Sequence, residues 1–244
     1  RCGTKLIPTN NLSKTLFRQN EAFFKCSNLE CVVMPKDVTG TDVLYGERIF
    51  QNCSSMKYIS VPYKSEAQGS DLFNGCGSLQ RSVDTYGVGY RTYKNCVSLD
   101  FVVVDYAYFV EEMFRGCVNL KKILPLVIND LPIPPPLEDF YNVECIYEYA
   151  FADCESLQSI KMNFLSESQY EGIHNYAFLN CSGIKVFDFS GSTVVPVLQN
   201  VNAFEGTKDD KKIIVPDSLY DEWVAATNWS DSDIVDCIYR ASDV

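Results

Sequence analysis

Apolar residues recur along the chain in a fixed pattern of four positions, at intervals of 20 to 27 residues with one longer gap of 37. Counted from an aromatic residue at position zero, the copies have Cys at position three, Leu or a similar residue at six, and usually Ile, Val or Phe at nine. Seven copies match, and only Ser82 at a ninth position is polar. Their cysteines are Cys26, Cys53, Cys76, Cys96, Cys117, Cys154 and Cys181. This regularity indicates a solenoid whose units stack around one apolar column.

Within each unit, the spacing predicts a turn followed by a short strand. A spacing of three places the aromatic, Cys and Leu side chains on one side of a helical or 3₁₀ turn. The apolar positions then alternate, as in Ile160-Lys161-Met162 and Ile213-Ile214-Val215, which is typical of a half-buried strand. A strand this short needs neighbours, so we expect the units to pair into a parallel sheet.

Two segments depart from the repeat. Thr4–Pro8 matches the end of a repeat strand, so we expect the chain to begin inside a repeat or just after a trimmed leader. Leu131–Leu137 lies in the long gap and contains four prolines. It is predicted to form an extended, polyproline-like loop at the edge of the solenoid.

The C-terminal end is predicted to be a cap. A degenerate eighth copy begins at Phe204 and lacks the Cys and Leu. After it, Asp217 or Ser218 is predicted to cap a helix, because short polar side chains can accept hydrogen bonds from the first free amides. The apolar face of this helix is predicted to contain Leu219, Trp223 and Ala226.

Four stretches are diagnostic of a family: IYEYAFADCESLQSI at Ile146–Ile160, IHNYAFLNCSGI at Ile173–Ile184, EMFRGCVNL at Glu112–Leu120, and Ile214–Trp229. They resemble the BspA-like leucine-rich repeats of many bacterial surface proteins and some parasites. The resemblance covers nearly the whole chain and departs from the usual pattern in 124–142. It implies a secreted or surface-attached solenoid, often linked to adhesion, with no shared catalytic residues.

The predicted fold class is therefore an α/β repeat solenoid. We expect a right-handed, leucine-rich-repeat-type solenoid with a parallel sheet of short strands, about eight repeats and a C-terminal helical cap. Residues 1–216 are assigned to the solenoid, and residues 217–244 to the cap, which belongs to the same domain.

The charge balance narrows the classes of partner. The chain has 21 basic and 32 acidic side chains and a net charge of −11, which makes it a poor match for the phosphates of nucleic acid. The longest apolar-rich run, Phe101–Val110, is interrupted by Asp105 and is too short to span a bilayer. We therefore predict neither nucleic-acid binding nor membrane insertion.

The 11 cysteines could signal metal binding, disulfides or a core. No pair has the C-x-x-C spacing of zinc or thioredoxin-like sites. Seven occupy the same repeated position and are predicted to be core thiols, which behave as small apolar side chains. The other four are the better candidates for disulfides or free thiols, and their redox state stays open: Cys2, Cys31, Cys145 and Cys237.

No catalytic site is predicted. His174 is the only histidine and aligns with Tyr147, so a surface turn residue is the preferred interpretation. A catalytic triad would have to use this one imidazole, and the G-x-S-x-G motif is absent. We expect no enzymatic activity, no cofactor and no metal site. A carbohydrate-active enzyme with paired carboxylates remains the last alternative.

If position nine faces the core, positions eight and ten face outward along the sheet. This outward strip contains four basic residues and one acid. Its candidate ligand-facing residues are Tyr58, Arg81, Phe101, Lys122, Lys161 and Lys212. The Lys end would suit an anionic or glycan-bearing partner, and the aromatic residues would supply contact area.

The predicted function is a non-enzymatic interaction or adhesion module, secreted or on the cell surface, that binds an extracellular protein or glycan through the repeat sheet. The chain is expected to be a monomer. The first alternative is a structural spacer or stalk that carries another domain.

Overall fold

The computed structural model describes residues 6–8, 19–33, 44–60, 66–67, 69–81, 86–104, 108–125, 143–165 and 172–244. Within these ranges, the strands are β1 (Leu6–Pro8), β2 (Cys31–Val33), β3 (Tyr58–Ser60), β4 (Glu66–Ala67), β5 (Tyr86–Val88), β6 (Phe101–Val104), β7 (Tyr108–Phe109), β8 (Lys122–Pro125), β9 (Cys145–Ile146), β10 (Ser159–Lys161), β11 (Gly172–Ile173), β12 (Val186–Asp188), β13 (Val197–Leu198), β14 (Lys212–Val215) and β15 (Ile238–Arg240). The helices are α1 (Tyr220–Ala225) and α2 (Ser232–Val235), and 3₁₀ turns form at Val201–Phe204, Asp217–Leu219 and Ala241–Asp243.

The strands form two series, one on each side of the cysteine-containing turn. The main series follows the turn and pairs as β1-β2-β3, β6-β8 and β10-β12-β14-β15. The side series precedes the turn and pairs as β4-β5 and β7-β9-β11-β13. Every pairing between these strands is parallel. The predicted parallel-sheet solenoid of the leucine-rich-repeat type is therefore confirmed.

The core is built around an aromatic column. Its rings stack with centroids 5.3 to 5.8 Å apart. In chain order they are Phe23, Phe50, Phe73, Tyr93, Phe114, Phe151, Phe178 and Phe204. Each stacked pair adds about 0.5–1.5 kcal/mol beyond the burial of its area. Because the column runs through all these repeats, each unit is stabilised chiefly by its two neighbours.

The predicted turn forms in each repeat with hydrogen bonds of the 3₁₀ type, but it does not continue as a helix. The bonds from i to i+3 of a 3₁₀ turn do form, as from the Cys53 amide to the Phe50 carbonyl at 3.0 Å. However, the residues one and five positions before the cysteine have positive φ, as at Asn52 (61°) and Arg48 (55°). Left-handed residues end any helix, and here they make the sharp corner between the two strand series.

Asparagine and glycine complement one another at the left-handed position before the cysteine. Gly75 has a φ of 76°, and a Cβ added there would lie 2.2 Å from Oδ1 of Asn52 in the preceding repeat. Gly116 meets Asn95 in the same way at 2.5 Å. The asparagine side chain therefore occupies the room that the next glycine leaves free.

The C-terminal cap differs from its prediction in where its helix starts. Helix α1 begins at Tyr220, and Leu219 at its N-cap makes no side-chain hydrogen bond. Neither Asp217 nor Ser218 caps it, because both lie in a preceding 3₁₀ turn. The Asp217 carboxylate instead accepts a hydrogen bond from the Ser242 amide at 3.1 Å. The predicted apolar face is present, since Trp223 is fully buried and Leu219 and Ala226 pack against the core.

The cap also contains a strand that the sequence analysis missed. Strand β15 pairs with β14 and places Ile238 beside Ile213. Counting back from Ile238 at position nine puts Val235, Ser232 and Trp229 at positions six, three and zero. The Trp229 ring packs against Phe204 with centroids 5.9 Å apart. The cap is thus a ninth, degenerate unit in which α2 replaces the turn, and it is only partly helical.

Three further predictions concern the first strand, the loop in the long gap and membrane insertion. Strand β1 at Leu6–Pro8 pairs with β2 as expected for the end of a repeat. The predicted loop at Leu131–Leu137 lies outside the described residues. Among the described residues, no helix combines the length and apolar character that crossing a membrane requires.

Candidate functional site: the outward face of the main strand series

The main strand series has one face against the core and one toward solvent. Position nine faces the core, since Val32, Val102 and Ile213 are fully buried. The side of the series opposite the core, made by positions eight and ten, is called the outward face. The structure places all six predicted ligand-facing residues on it. Tyr58, Arg81, Lys122 and Lys212 are exposed, and Phe101 and Lys161 are half-buried.

Strand register sets the order of these residues along the outward face. Arg81 forms a bridge to Phe101, and Phe101 pairs with Lys122. These three side chains therefore follow one another in one row, with successive strands about 4.8 Å apart. Lys212 belongs to the equivalent row of the C-terminal strands, and Lys161 lies in the adjacent row.

Two of the cations lie over aromatic rings. The Arg81 guanidinium is 5.6 Å from the centroid of the Phe101 ring. The Lys212 ammonium is 5.4 Å from the centroid of the Tyr239 ring. Such contacts contribute about 0.5–1 kcal/mol at exposed sites and orient the cation without neutralising its charge. Tyr239 was missed from sequence, although the spacing of Trp229 and Ile238 could have placed it on this face.

The lysines on this face differ in their electrostatic environment. Lys161 pairs in register with Asp188 of the neighbouring strand, so an acidic residue occupies the next position in its row. Lys122 and Lys212 have no carboxylate within ion-pair distance in the described part of the chain. Their charge is therefore available to a partner.

The turn side of the solenoid shows the opposite arrangement, because its charges are paired. Arg91 binds Asp71 through two hydrogen bonds of 3.0 Å. Burial alone would raise the pKa of Asp71, yet the hydrogen bonds from Arg91 and Asn74 lower it below its usual range. Glu112 likewise accepts from Lys94 at 2.6 Å and from Arg115. The ion pairs of Arg91 with Asp71 and of Lys94 with Glu112 link neighbouring repeats. Their charges are therefore less available to a ligand.

The repeated cysteines have a structural role that sequence reasoning did not identify. Each thiol from Cys53 onward donates a hydrogen bond to the carbonyl of the aromatic residue one repeat earlier, at 3.0 to 3.3 Å. This thiol ladder consists of Cys53, Cys76, Cys96, Cys117, Cys154 and Cys181. Serine could make the same bond, but its hydroxyl is more costly to bury than a thiol.

The thiol ladder is unsuited to nucleophilic or metal chemistry. Burial raises the pKa of Cys117 and of Cys181 to about 12. The reactive and metal-binding form of cysteine is the thiolate, so these groups stay inert at neutral pH. Among the described residues, no group of three or more Cys, His, Asp or Glu side chains is placed to hold a metal ion.

One cysteine of the repeat departs from its prediction. Cys26, at the first complete rung, is disulfide-bonded rather than a free core thiol, and its partner lies outside the described residues. Of the cysteines outside the repeat, Cys31, Cys145 and Cys237 form no disulfide. Cys31 is half-buried, whereas the other eight cysteines without a disulfide in the described part of the chain are buried.

These positions predict a sharp order of thiol reactivity. With iodoacetamide at neutral pH, Cys31 is expected to be alkylated in the native chain, and the thiol ladder only after denaturation, because burial blocks access and disfavours the thiolate. Mass spectrometry of peptides from native and urea-treated samples measures this directly. Alkylation of the ladder at the rate of Cys31, in a chain that remains folded, would contradict it.

His174 lies in the side series, directly after β11. Its ring packs against Tyr147 with centroids 4.8 Å apart, and its Nε2 is 3.1 Å from the Nε2 of Gln199. These contacts position the imidazole between rungs. They do not place a serine or cysteine nucleophile beside it.

Comparison with solved structures supports the fold through one protein, and two others are reported as similar. A leucine-rich repeat protein from Bacteroides ovatus superposes with a TM-score of 0.52 and 19% identity, over 89% of this chain and 55% of that chain. A leucine-rich repeat protein from T. pallidum has 24% identity, a TM-score of 0.33 and coverage of 44% and 62%. A leucine-rich cell surface protein from Faecalibacterium prausnitzii has 18% identity, a TM-score of 0.29 and coverage of 81% and 63%. The chain thus spans 55% to 63% of the lengths of these structures.

Sequence comparison identifies the repeat itself. No curated protein matches the chain. The family model described as a BspA type leucine-rich repeat region matches residues 17–124 and 137–221 in six copies, fewer than the about eight units predicted from spacing. The matched ranges include the turns, the thiol ladder and most of the main strand series. The chain therefore belongs to the BspA-type leucine-rich repeat family.

Proposed function

We propose that the chain is a non-enzymatic interaction module that binds an anionic protein or glycan through its outward face. The observation that carries this proposal is the set of cations there: Arg81, Lys122 and Lys212 are exposed on a chain with a net charge of −11. Leucine-rich repeats of this kind generally serve as protein-interaction modules, and a solenoid offers extended area for contact.

The contrast between the two surfaces supports this choice. On the turn side, Asp71 and Glu112 are paired with cations of neighbouring repeats. On the outward face, cations lie beside aromatic rings, and the exposed Tyr58 and Tyr239 add apolar area. An anionic partner would be steered to this face by charge and held there by contact with the rings.

We also propose that the module acts outside the cell or on its surface, as a monomer. The family resemblance is the support for this location. Free thiols are vulnerable in an oxidising compartment, but burial protects the thiol ladder here, and Cys26 is disulfide-bonded.

Charge reversal on the outward face tests the proposal. The variant with Lys122→Glu, Lys161→Glu and Lys212→Glu is expected to lose at least roughly ten-fold in affinity. Each ion pair between an exposed lysine and an anionic group of the ligand contributes up to about 1 kcal/mol. An array of sulfated and sialylated glycans and extracellular matrix proteins supplies the ligands. Binding by the parent chain should also weaken with salt.

The matched control reverses three lysines that precede the same type of strand. Lys57, Lys121 and Lys185 are all exposed at position seven, so their reversal changes the net charge equally. It should alter affinity by no more than roughly two-fold. Equal effects of both triple variants would contradict a specific face. No binding by the parent to any array member would favour the spacer role.

A further inference from the structure

The residues at position eight of successive main strands form one line across the outward face, here called the axial row. Strand pairing fixes its register within β6-β8 and within β10-β12-β14, and β8 and β10 are neighbours. Arg81 forms a bridge to Phe101, and the Gln80 amide donates to the Lys57 carbonyl, which places Arg81 beside β3. From β3 onward the axial row contains Tyr58, Arg81, Phe101, Lys122, Ser159, Val186 and Lys212.

The cations of the outward face are spread along the axis of the solenoid. The path from Arg81 to Lys212 crosses β6, β8, β10 and β12, which makes it about 24 Å long at about 4.8 Å per strand. Lys122 lies on this path, and Lys161 lies beside it on β10. A single sulfate or carboxylate is too small to contact all four cations. The row as a whole fits a partner whose anionic groups are distributed along a chain.

The acids at the start of the main strands are paired with lysines rather than with the axial row. The Asp100 carboxylate, next to Phe101, lies 2.7 Å from the ammonium of Lys121. The Glu30 carboxylate lies 3.8 Å from the ammonium of Lys57. Both lysines are at position seven, outside the axial row. They offset these two acids and leave the cations of the row to a partner.

Two further acids lie toward the C-terminal end of the outward face. Asp188 is next to Lys161 in the adjacent row, and its carboxylate accepts a hydrogen bond from the Ser190 amide at 2.9 Å. Asp236 lies at position seven of the last unit, beyond Lys212. Both acids would repel a polyanion that extended past Lys212, so the favourable part of the row ends there.

The side chains of the axial row favour a glycan over an acidic peptide. Lys and Arg side chains are hydrogen-bond donors without an acceptor, and the backbone groups of these strands are used in the sheet. A peptide has an N–H group in each residue that needs an acceptor when it is buried. The sulfate, carboxylate and ring oxygens of an acidic glycan are acceptors. The exposed ring of Tyr58 and the half-buried ring of Phe101 offer apolar area to the C–H faces of sugars.

We propose that the outward face binds a linear acidic polysaccharide, which lies along the axial row and crosses the strands. This inference rests on the proposed function and names the class of partner. Sulfate or carboxylate groups of the polysaccharide would bind the four cations in turn, and its sugar rings would contact Tyr58 and Phe101. Because the contacts are distributed over about 24 Å, affinity should depend on the length of the ligand.

A series of ligand lengths tests this arrangement. Heparin-derived oligosaccharides have sulfate and carboxylate groups, and oligogalacturonates have carboxylates alone. Both series, from disaccharide to decasaccharide, are titrated calorimetrically into the full chain. In at least one series the decasaccharide is expected to bind at least roughly ten-fold more tightly than the disaccharide, since each further contact is made by a ligand that is already held. Equal affinity at every length would overturn axial binding and leave the proposed function standing.

The variant Lys212→Gln locates one end of the ligand. It should weaken decasaccharide binding at least roughly three-fold and change tetrasaccharide binding less than roughly two-fold, because the short ligand can still bind between Arg81 and Lys122. Lys25→Gln is the matched control, since it removes the same charge from the turn side, where Lys25 is exposed, and both affinities should match the parent. Circular dichroism confirms that each variant is folded. Equal losses for the two lengths in Lys212→Gln would overturn the axial arrangement.

Polyglutamate of matched charge distinguishes a glycan partner from an acidic peptide. It should bind at least roughly ten-fold more weakly than the decasaccharide, because its backbone amides find no acceptor on the row. Binding of polyglutamate with neither glycan series would overturn the glycan assignment but keep the proposed function, which includes anionic proteins. The absence of binding by every anionic probe would contradict both.

Discussion

Replacing Phe151 by Ala is expected to lower the free energy of unfolding by about 3–5 kcal/mol and to split the unfolding of the chain into two transitions. Phe151 is fully buried. Its ring stacks between Phe114 and Phe178 at 5.5 and 5.4 Å and also contacts Phe109 at 4.9 Å. Its loss leaves a cavity in the middle of the aromatic column.

The split is expected because a solenoid couples distant repeats only through the units between them. Phe151 belongs to the first rung after the longest gap in the repeat, at the junction of the N-terminal and C-terminal parts of the column. The repeats that contain Phe23 to Phe114 and those that contain Phe178 to Trp229 would then unfold separately.

Urea titration followed by far-ultraviolet circular dichroism and by tryptophan fluorescence measures this effect. Trp223 and Trp229 both lie in the cap, so fluorescence reports only the C-terminal part. In the Phe151→Ala variant the two signals should change at different urea concentrations, and in the parent they should coincide. The control is Tyr90→Ala, whose side chain is 52% exposed and should cost no more than about 0.5 kcal/mol. A single coincident transition in Phe151→Ala would contradict the coupling model.

The core could be predicted from sequence because the same chemistry recurs at the same spacing. The aromatic ring, the thiol and the aliphatic side chain of each copy face one column, and Ile160 and Ile213 point inward as their alternation predicts. The outward side chains followed from the same alternation. Any residue type can be placed in this way once the repeat is recognised.

The corners could not be predicted, because their left-handed positions are filled by residues with no turn signature. Asn52 and Gly75 are ordinary choices for positive φ, but Arg48 and Tyr149 are not, and their φ values of 55° and 56° are imposed by the stacked repeats. The strands of the side series are too short for a period to be visible.

The exposure of lysines could likewise be predicted within the repeats but not at their C-terminal end. Lys122 and Lys212 are read directly from the alternation, since exposed positions repeat along the sheet. The burial of Lys211 depends on how α2 and β15 fold over the last repeat, and its position is exposed in the other lysine-containing repeats. Burial of a side chain at the end of a repeat protein therefore cannot be inferred from the repeat.

Alkaline pH is expected to lower the free energy of unfolding of the chain through the thiol ladder. Burial raises the pKa of Cys117 and Cys181 to about 12, from an ordinary value of 9.0. Below pH 9, the thiols are protonated in both the folded and the unfolded chain, so their contribution to stability is fully present. Above it, the unfolded chain releases protons that the folded chain retains, and stability falls until the pH passes the folded pKa.

The size of this effect follows from the raised pKa values of Cys117 and Cys181. Each thiol costs about 1.4 kcal/mol per pH unit above 9, so the two together cost about 5 kcal/mol by pH 11. Burial likewise raises the pKa of Cys53, Cys76, Cys96 and Cys154, which adds to the loss. A domain has about 5–15 kcal/mol of stability in all, so a loss of this size removes a large part of it by pH 11.

The thiols can be separated from the other groups that lose protons at high pH by comparing slopes. Tyrosines and lysines lose protons in the parent and in the double variant Cys117→Ala/Cys181→Ala alike. A smaller decrease in the free energy of unfolding with pH in the double variant is therefore caused by the absence of the two thiols. Urea titrations from about pH 8 to about pH 10.5 give the slope, which should be smaller by about 2–3 kcal/mol per pH unit. Cys31→Ala is the control, because its side chain is outside the ladder and only half-buried. Burial raises the pKa of Cys31 as well, but this variant should reduce the slope much less than the double variant does. Equal slopes in the double variant and the parent would mean that the ladder thiols lose protons in the folded chain as readily as in the unfolded chain, which would contradict burial as the cause of their raised pKa.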